Sequence, residues 1–370
     1  MTQLEDVSTR LALLLLLSLC AVGVAHADSL SSAVFVRTDS DQTLVVSPRA
    51  HVDRHVSEAT SVDVSYAADV WTSASIDVRA SATVPVTEQR DELDLGVHHA
   101  WQDAMLGASY RFSVENDYVS HGATLNGSLD LAQHNTTLAA AGYAFMDTVG
   151  RSGQPTFSRG LLTVGGRASL LQVLDAQTLV QATYELTRLN GYQSSPYRFV
   201  GIGGTGIGCF GATECLPEHM PGTRNRHAFA VLARRALGES FAAAAGYRLY
   251  IDSWQLLSHT LSAELSWMPG SQTRFVLGYR FYTQSGVYFY QPVYMQYRGS
   301  LGFTTRDREQ SPMHDQRIGL EWVQSVPLND ASTRLRFHTS AGLLAFHYDD
   351  FRGLLDVRAV ELTCALSLEY

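Results

Sequence analysis

The last eleven residues of the chain alternate between apolar and polar side chains and end on an aromatic residue. The apolar set is Val360, Leu362, Cys364, Leu366, Leu368 and Tyr370. Side chains of an extended strand point alternately to its two faces, so this segment predicts a strand with one apolar and one polar side. The strands that pair with this one must have an apolar face toward the same apolar surroundings.

The N-terminus predicts export. Residues 11–24 form a mostly apolar run that is followed by Ala25-His26-Ala27, a small-x-small cleavage pattern. The run is too short to span a bilayer comfortably and has the form of a secretory signal peptide. We therefore expect residues 1–27 to be a signal peptide and residues 28–370 to form one mature domain.

Hydropathy indicates which kind of secondary structure the mature chain uses to span a membrane. The chain is 45% hydrophobic but has a mean hydropathy of only -0.04, and no other stretch approaches eighteen apolar residues. This pattern excludes membrane helices, whereas a barrel hides its lipid-facing residues in such an average because they alternate with polar ones. Together with export and the aromatic end, it predicts an all-β transmembrane antiparallel up-and-down β-barrel in the outer membrane of a Gram-negative bacterium. Its partners would be outer-membrane lipid and the barrel-assembly machinery, which the C-terminal strand ending at Tyr370 would contact.

About sixteen alternating segments are present, although fourteen or eighteen strands remain possible by this count. They are residues 33–37, 43–52, 62–68, 93–101, 104–114, 123–131, 137–145, 162–170, 178–186, 229–233, 241–249, 259–267, 273–283, 317–324, 335–345 and 360–370. The connections are short on the side of the termini and longer on the other, as in barrels with periplasmic turns and extracellular loops. A water-soluble sandwich is the alternative, but it explains neither the aromatic end nor this asymmetry.

The two faces of the predicted strands differ in chemistry. Aromatic residues expected on the outward face, near the two membrane interfaces, are Trp101, Tyr110, Tyr143, Tyr184, Trp267, Tyr279, Trp322 and Tyr370. Charged residues expected on the lumen wall are Arg111, Arg167, Arg248, Arg274, Arg280, Arg317, Arg334, Arg336, Glu185, Glu264 and Glu321. Two interpretations stay open: a hydrated passage whose arginines favour anions, or an internal network of ion pairs that braces the barrel.

Composition and motifs argue against other functions. The net charge of -9 argues against a nucleic-acid partner, and the absence of lysine removes lysine-based catalysis. His338 and Ser340 lie two apart, as in some outer-membrane lipases, but they are expected to face the lumen and have no evident third member. We therefore expect no enzyme activity, no cofactor and no metal.

Cysteines and loops offer further candidates. Cys209 and Cys215 are close in a glycine-rich segment, and in an exported protein such a pair most often forms a disulfide; metal binding with His219 or His227 is the alternative. Two long loops are expected, at residues 188–224 and 284–315. The second is rich in tyrosine, and it either folds inward as a constriction or stands outward as a contact surface.

Several stretches resemble an uncharacterised family of bacterial outer-membrane barrels, known only as a domain of unknown function. They are Thr38-Asp39-Ser40-Asp41 with Ser47-Pro48, residues 69–75, residues 113–118, and residues 191–198 followed by Arg224-Asn225-Arg226. The resemblance implies the fold and the location but no substrate. Within the fourth stretch, Tyr192, Pro196, Tyr197 and Arg198 either line a ligand or partner site or fold their loop back over the barrel mouth.

The sequence thus predicts a pore or passive transporter for small polar or anionic solutes. The alternative is a plugged structural barrel whose extracellular loops bind a protein partner.

Overall fold

Sixteen strands form one closed antiparallel barrel, as predicted. The computed structural model describes residues 28–73, 86–295, 302–328 and 333–370; the expected signal peptide lies outside them. The barrel strands are β1 (Ser29–Asp39), β2 (Leu44–Ser57), β3 (Thr60–Ser73), β4 (Val86–Ala100), β5 (Ala104–Val114), β6 (Tyr118–Leu131), β7 (Thr136–Val149), β8 (Arg159–Asp175), β9 (Thr178–Gly191), β12 (Thr223–Ala236), β13 (Phe241–Asp252), β14 (Leu257–Trp267), β15 (Thr273–Gln284), β16 (Met313–Pro327), β17 (Arg334–Tyr348) and β18 (Asp356–Glu369). Two short strands that the sequence did not predict, β10 (Phe199–Ile202) and β11 (Glu214–Pro217), pair with each other outside the barrel.

Each barrel strand pairs with its neighbours in the chain, and β1 pairs with β18 to close the sheet. This seam runs from Ser29 opposite Glu369 to Asp39 opposite Ala359. The backbone nitrogen of Tyr370 donates a hydrogen bond to the carbonyl oxygen of Asp28 at 3.1 Å. We call the barrel end that holds Asp28 and Tyr370 the terminal rim and the opposite end the loop rim.

Apolar side chains cover the outer face of the barrel because alternate residues of every strand point outward. Leu125, Met146 and Leu343 are 60% or more exposed there, as the lipid-facing residues of a membrane barrel are. Trp101, Trp267, Trp322 and Tyr370 are exposed toward the terminal rim. The apolar band with flanking aromatics is the surface that a lipid bilayer covers.

Tyr143 corrects the predicted aromatic set, since it points into the lumen. The exposed neighbours Leu138 and Met146 show that the even positions of β7 face outward, so position 143 faces inward. The Tyr143 hydroxyl lies 2.7 Å from the Thr187 hydroxyl and donates to Glu185 at 3.1 Å. An aromatic residue near a strand end is therefore no guide to its face when the alternation of its neighbours disagrees.

Connections at the two rims differ in length. At the terminal rim, residues 58–59, 101–103, 132–135, 176–177, 237–240, 268–272 and 328–333 connect the strands. The loop rim carries the long connections 192–222 and 285–312, although residues 40–43, 115–117 and 253–256 are short there as well. Among the described residues, no helix has the length and apolar character needed to cross a membrane.

Candidate functional site

Ion pairs line the lumen wall because the inward positions of adjacent strands carry opposite charges. The pairs are Arg111 with Asp94 (2.6 Å), Arg167 with Glu185 (3.0 Å), Arg274 with Glu321 (2.7 Å), Arg280 with Asp315 (2.6 Å), Arg317 with Glu361 (3.1 Å) and Arg336 with Glu369 (3.1 Å). These arginine side chains are between 34% and 58% exposed, so water reaches them inside the barrel. Such exposed pairs each contribute only about 0–1 kcal/mol to stability.

Three of the predicted lumen residues have no ion pair with any described residue. Arg248 faces the lumen and lies over the Tyr250 ring, with its guanidinium carbon 5.6 Å from the ring centroid. Arg334 and Glu264 are exposed at inward positions of β17 and β14. Carboxylates therefore neutralise some of the arginines on the later strands. Arg248 and Arg334 have no such partner among the described residues.

Two glycines make room for the Arg317 side chain. Gly319 and Gly342 are direct partners on β16 and β17. A Cβ atom at Gly319 would lie 2.8 Å from one terminal nitrogen of Arg317, and one at Gly342 would lie 3.0 Å from the other. The guanidinium can therefore cross strand β17 and reach Glu361 on β18.

The described parts of the two long loops fold inward and pack on each other at the loop rim. We call these residues, 192–222, 285–295 and 302–312, the lid. His219 and Thr304 exchange backbone hydrogen bonds of 3.1 and 2.8 Å between the two loops. Beneath this contact lies a cluster of buried apolar residues: Met220, Trp254, Leu256, Val287 and Phe289. Of the two arrangements that the sequence left open for the second loop, the structure shows the inward one.

A short 3-10 turn, Arg308–Gln310, carries the second loop into the barrel. The Gln284 side chain on β15 donates to the carbonyl oxygens of Glu309 and Ser311, at 2.9 and 2.7 Å. Arg308 forms an ion pair of 2.7 Å with Asp41, from the connection between β1 and β2. The turn is thus held from two sides of the lumen.

Glu218 joins the two halves of the lid. Its side chain is fully buried and accepts hydrogen bonds from the Thr305 hydroxyl at 2.6 Å and from the Ser195 backbone at 2.9 Å. Arg198 lies 3.4 Å from Glu218 and 3.3 Å from Asp307. Burial raises the pKa of Glu218 above its ordinary value, while Arg198 opposes that shift.

The four loop candidates contribute to this lid. Arg198 pairs with Glu218 as described, and Tyr192 packs edge-on against Phe157 with ring centroids 5.6 Å apart. The Tyr197 hydroxyl donates to Asp117, across the mouth, and accepts from the Ser152 backbone at 2.6 Å. Burial and, after it, the hydrogen bond to Asp117 raise the pKa of Tyr197 to about 12. Pro196 is half-buried between them.

Cys209 and Cys215 form a disulfide, with Cα atoms 5.5 Å apart, at the tip of the hairpin between β10 and β11. Cys364 is exposed on the outer face of β18, as its alternation predicts. The disulfide therefore ties the connection between the two strands, at Cys209, to Cys215 of β11.

Cavities open on the described part of the lumen wall, and two of them bear on the site. The larger, about 580 Å³, lies toward the terminal rim and is lined by Arg274, Glu321, Arg336 and His338 among others. The second, about 370 Å³, lies under the 3-10 turn and is lined by strands β12 to β17 and β1. Charged and polar side chains share the walls of both cavities with apolar ones.

Sequence reasoning did not assign several residues of the inner cavity and lid to the site: Arg224, Arg226, Asp252, Glu218 and Arg308. Arg224 and Arg226 continue the inward alternation of β12, whose outward positions include Phe229 and Val231. Extending that alternation upstream would have placed both arginines on the lumen wall. No local pattern indicates Glu218 or Arg308, because their partners lie far away in the chain.

The remaining polar groups include His338 with Ser340 on the lumen wall and a small cluster at the terminal rim. His338 lies 3.6 Å from Glu321, which Arg274 also binds, and no hydrogen bond joins His338 to Ser340 in the described part of the chain. Asp28, Asp53 and His55 place ligand atoms within 4.8 Å of one another at the terminal rim. These groups are partly or fully exposed, and exposed acidic groups of this kind are common without a metal.

A closed barrel with an apolar outer band and a charged lumen defines a transmembrane barrel protein of the outer-membrane type. A family model described as "Protein of unknown function (DUF3570)" matches residues 77–164 and 161–336, and the chain belongs to this family. This confirms the resemblance seen in the sequence. No curated protein matches the chain.

Solved structures of outer-membrane proteins are similar to this chain. A bacterial polysaccharide outer membrane secretin has a TM-score of 0.52 and 8% identity, covering 93% of this chain and 99% of the other. CdiB from Acinetobacter baumannii has a TM-score of 0.49 and 11% identity, covering 91% and 60%. OprD from Pseudomonas aeruginosa has a TM-score of 0.45 and 7% identity, covering 93% and 95%. At such identities the likeness concerns the fold alone.

Proposed function

We propose that this protein is a passive, non-catalytic outer-membrane pore for small polar or anionic solutes, with the lid as its constriction. The observation that carries the proposal is the exposure of the lumen charges. Arginines that hold carboxylates at 2.6–3.1 Å remain about one third to one half or more exposed. Arg274, Glu321 and Arg336 also line a cavity of about 580 Å³. If these ion pairs served only to stabilise a barrel with a filled interior, their arginine side chains would be buried.

Export and assembly complete the proposal. Residues 1–27 would direct the chain across the inner membrane and be removed. The strand ending at Tyr370 would then be recognised by the barrel-assembly machinery, and outer-membrane lipid would cover the apolar band.

A plugged barrel that binds a protein partner is the second candidate, and the packing of the lid favours it. Val200 and Phe351 are almost completely buried where the loops meet, and Phe210 and Met295 are 76% and 70% exposed on lid residues. Rigid loops with exposed apolar side chains suit contact with another protein.

Conductance separates the two candidates. The mature chain would be refolded in detergent, checked for heat-modifiable gel mobility, and inserted into planar bilayers. A pore predicts reproducible single-channel steps, whereas a heat-modifiable barrel without steps would overturn the pore proposal and leave the plugged barrel.

Charge reversal on the lumen wall then assigns the path. Changing Arg334 and Arg336 together to Glu should shift the reversal potential toward cation selectivity, because two positive charges at the terminal rim become negative. Arg358→Glu is the matched control, since Arg358 lies at an exposed, outward position of β18. An equal shift in the control would show that the path does not follow the lumen wall.

A further inference from the structure

The inner cavity concentrates positive charge at one level of the lumen. Its lining includes the guanidinium groups of Arg37, Arg224, Arg226, Arg248 and Arg308, against one carboxylate, Glu309. Three of these arginines have partners elsewhere. Arg224 binds Asp252, Arg308 binds Asp41, and Arg37 lies 3.9 Å from Glu361.

Arg226 and Arg248 are left without such a partner. Neither forms an ion pair with a described residue, and the Nε atom of Arg226 is buried with no hydrogen-bond partner there. Leaving a buried guanidinium donor unsatisfied costs free energy, because water no longer solvates it and no acceptor replaces the water. An acceptor from outside the chain would remove that cost.

The cavity walls strengthen any such contact. Leu256, Met313, Phe346 and Tyr348 form apolar parts of the lining. Charge-assisted hydrogen bonds are stronger than neutral ones, and surroundings less polar than bulk water strengthen them further. The planar donors of arginine match the oxygen atoms of carboxylate and phosphate groups.

We propose that this cavity binds a small oxyanion, the carboxylate or phosphate group of a solute, through Arg226 and Arg248. The proposal rests on the proposed pore function in one respect: it identifies the solute as an anion that stops beneath the lid before crossing the barrel. The 3-10 turn Arg308–Gln310 forms one wall of the cavity, so a bound anion lies directly beside the constriction.

Equilibrium binding to the refolded full-length barrel tests the site without requiring conductance. Inorganic phosphate and succinate would each be titrated by calorimetry at constant ionic strength, with chloride as the reference anion. We expect phosphate or succinate to bind and Arg226→Gln or Arg248→Gln to weaken that binding by about tenfold or more, since each removes charged hydrogen bonds. Arg334→Gln is the matched control, because it removes a lumen arginine outside the cavity lining and should leave binding unchanged.

Folding of the variants is checked by heat-modifiable mobility. Arg226→Lys is a second variant that keeps the charge and should restore part of the affinity. Absence of binding to the wild-type barrel, binding no stronger than that of chloride, or an equal loss in Arg334→Gln would overturn the site. Conductance without oxyanion binding would support the pore proposal and overturn the proposed anion site. Oxyanion binding without conductance would support the site and overturn the pore proposal.

Discussion

Two kinds of arginine–carboxylate pair coexist in the barrel and differ in exposure. Arg224 and Asp252 are 6% and 0% exposed at the side chain, and Arg224 also lies over the Trp254 ring at 4.0 Å. Removing one partner of such a buried pair costs about 3–5 kcal/mol. The lumen pairs whose arginines are about one third to one half or more exposed cost far less to open than the Arg224 pair.

Gly319 and Gly342 provide a test of how the wall is built. The double change to Ala would place methyl groups against the Arg317 guanidinium and displace it from Glu361. Because exposed ion pairs contribute little to stability, we expect the free energy of unfolding to change by no more than about 1 kcal/mol. The freed carboxylate should shift ion selectivity toward cations, as measured by reversal potential.

Gly142→Ala provides the control for that experiment, since its nearest neighbour would be the Gly165 carbonyl oxygen at 4.0 Å. This variant should keep wild-type selectivity. Unchanged selectivity in the double variant, with the barrel folded, would contradict the role assigned to the glycine pair.

Strands were predictable because their signal is local, whereas the lid was not. Alternation within ten residues located all sixteen barrel strands and the inward positions of residues such as Arg274 and Arg280. The bond between Glu218 and Thr305 joins residues 87 apart. Nothing near either residue encodes it, and the same holds for Arg308 and Asp41. The sequence therefore predicts which residues line the lumen, but not the long-range contacts that hold the lid across it.

The buried Glu218 makes the lid sensitive to pH. Its folded pKa is raised above its ordinary value of 4.5, so the folded lid binds this proton more tightly than the unfolded lid does. The stability that protonation contributes is present at low pH and is lost as pH rises through the range above 4.5. We expect amide protection at His219 and Thr304, corrected for intrinsic exchange rates, to fall as the pH is raised above 4.5. The fall should be about tenfold for each unit by which the pKa is raised, while the titration lies within that range.

Glu218→Gln should remove this pH dependence, since the amide does not titrate in this range. Glu214→Gln changes an exposed carboxylate of the same loop and should leave the dependence intact. The assignment to Glu218 would be wrong if the wild type and Glu218→Gln showed the same slope. Arg198 and Asp307, the charged neighbours of Glu218, are unchanged in both variants.

Closure of the whole barrel can be tested with a single substitution. Val34 on β1 is the register partner of Cys364 on β18. Directly opposed residues of antiparallel strands have Cα atoms about 4.5–5.5 Å apart, within the range that a disulfide spans. We expect Val34→Cys to form a disulfide with Cys364 on oxidation, and the heated, non-reduced chain to migrate faster on a gel.

Val36→Cys is the control, because its partner is Leu362 and it lies two positions from Cys364. It should give little cross-linking under the same conditions. Equal cross-linking of both variants, or of neither, would argue against the β1–β18 register.

The seam between β1 and β18 also sets the order in which the molecule can be completed. The sheet has two unpaired edges until residues 356–369 have been synthesised and delivered, and each edge can pair with another chain. Closure is therefore a late event, and it depends on a contact between nearly opposite ends of the sequence, which is slow to form. A chain that lacks the last strand would form an open curved sheet instead of a narrower barrel. The unpaired edge strands of that sheet could pair with another chain.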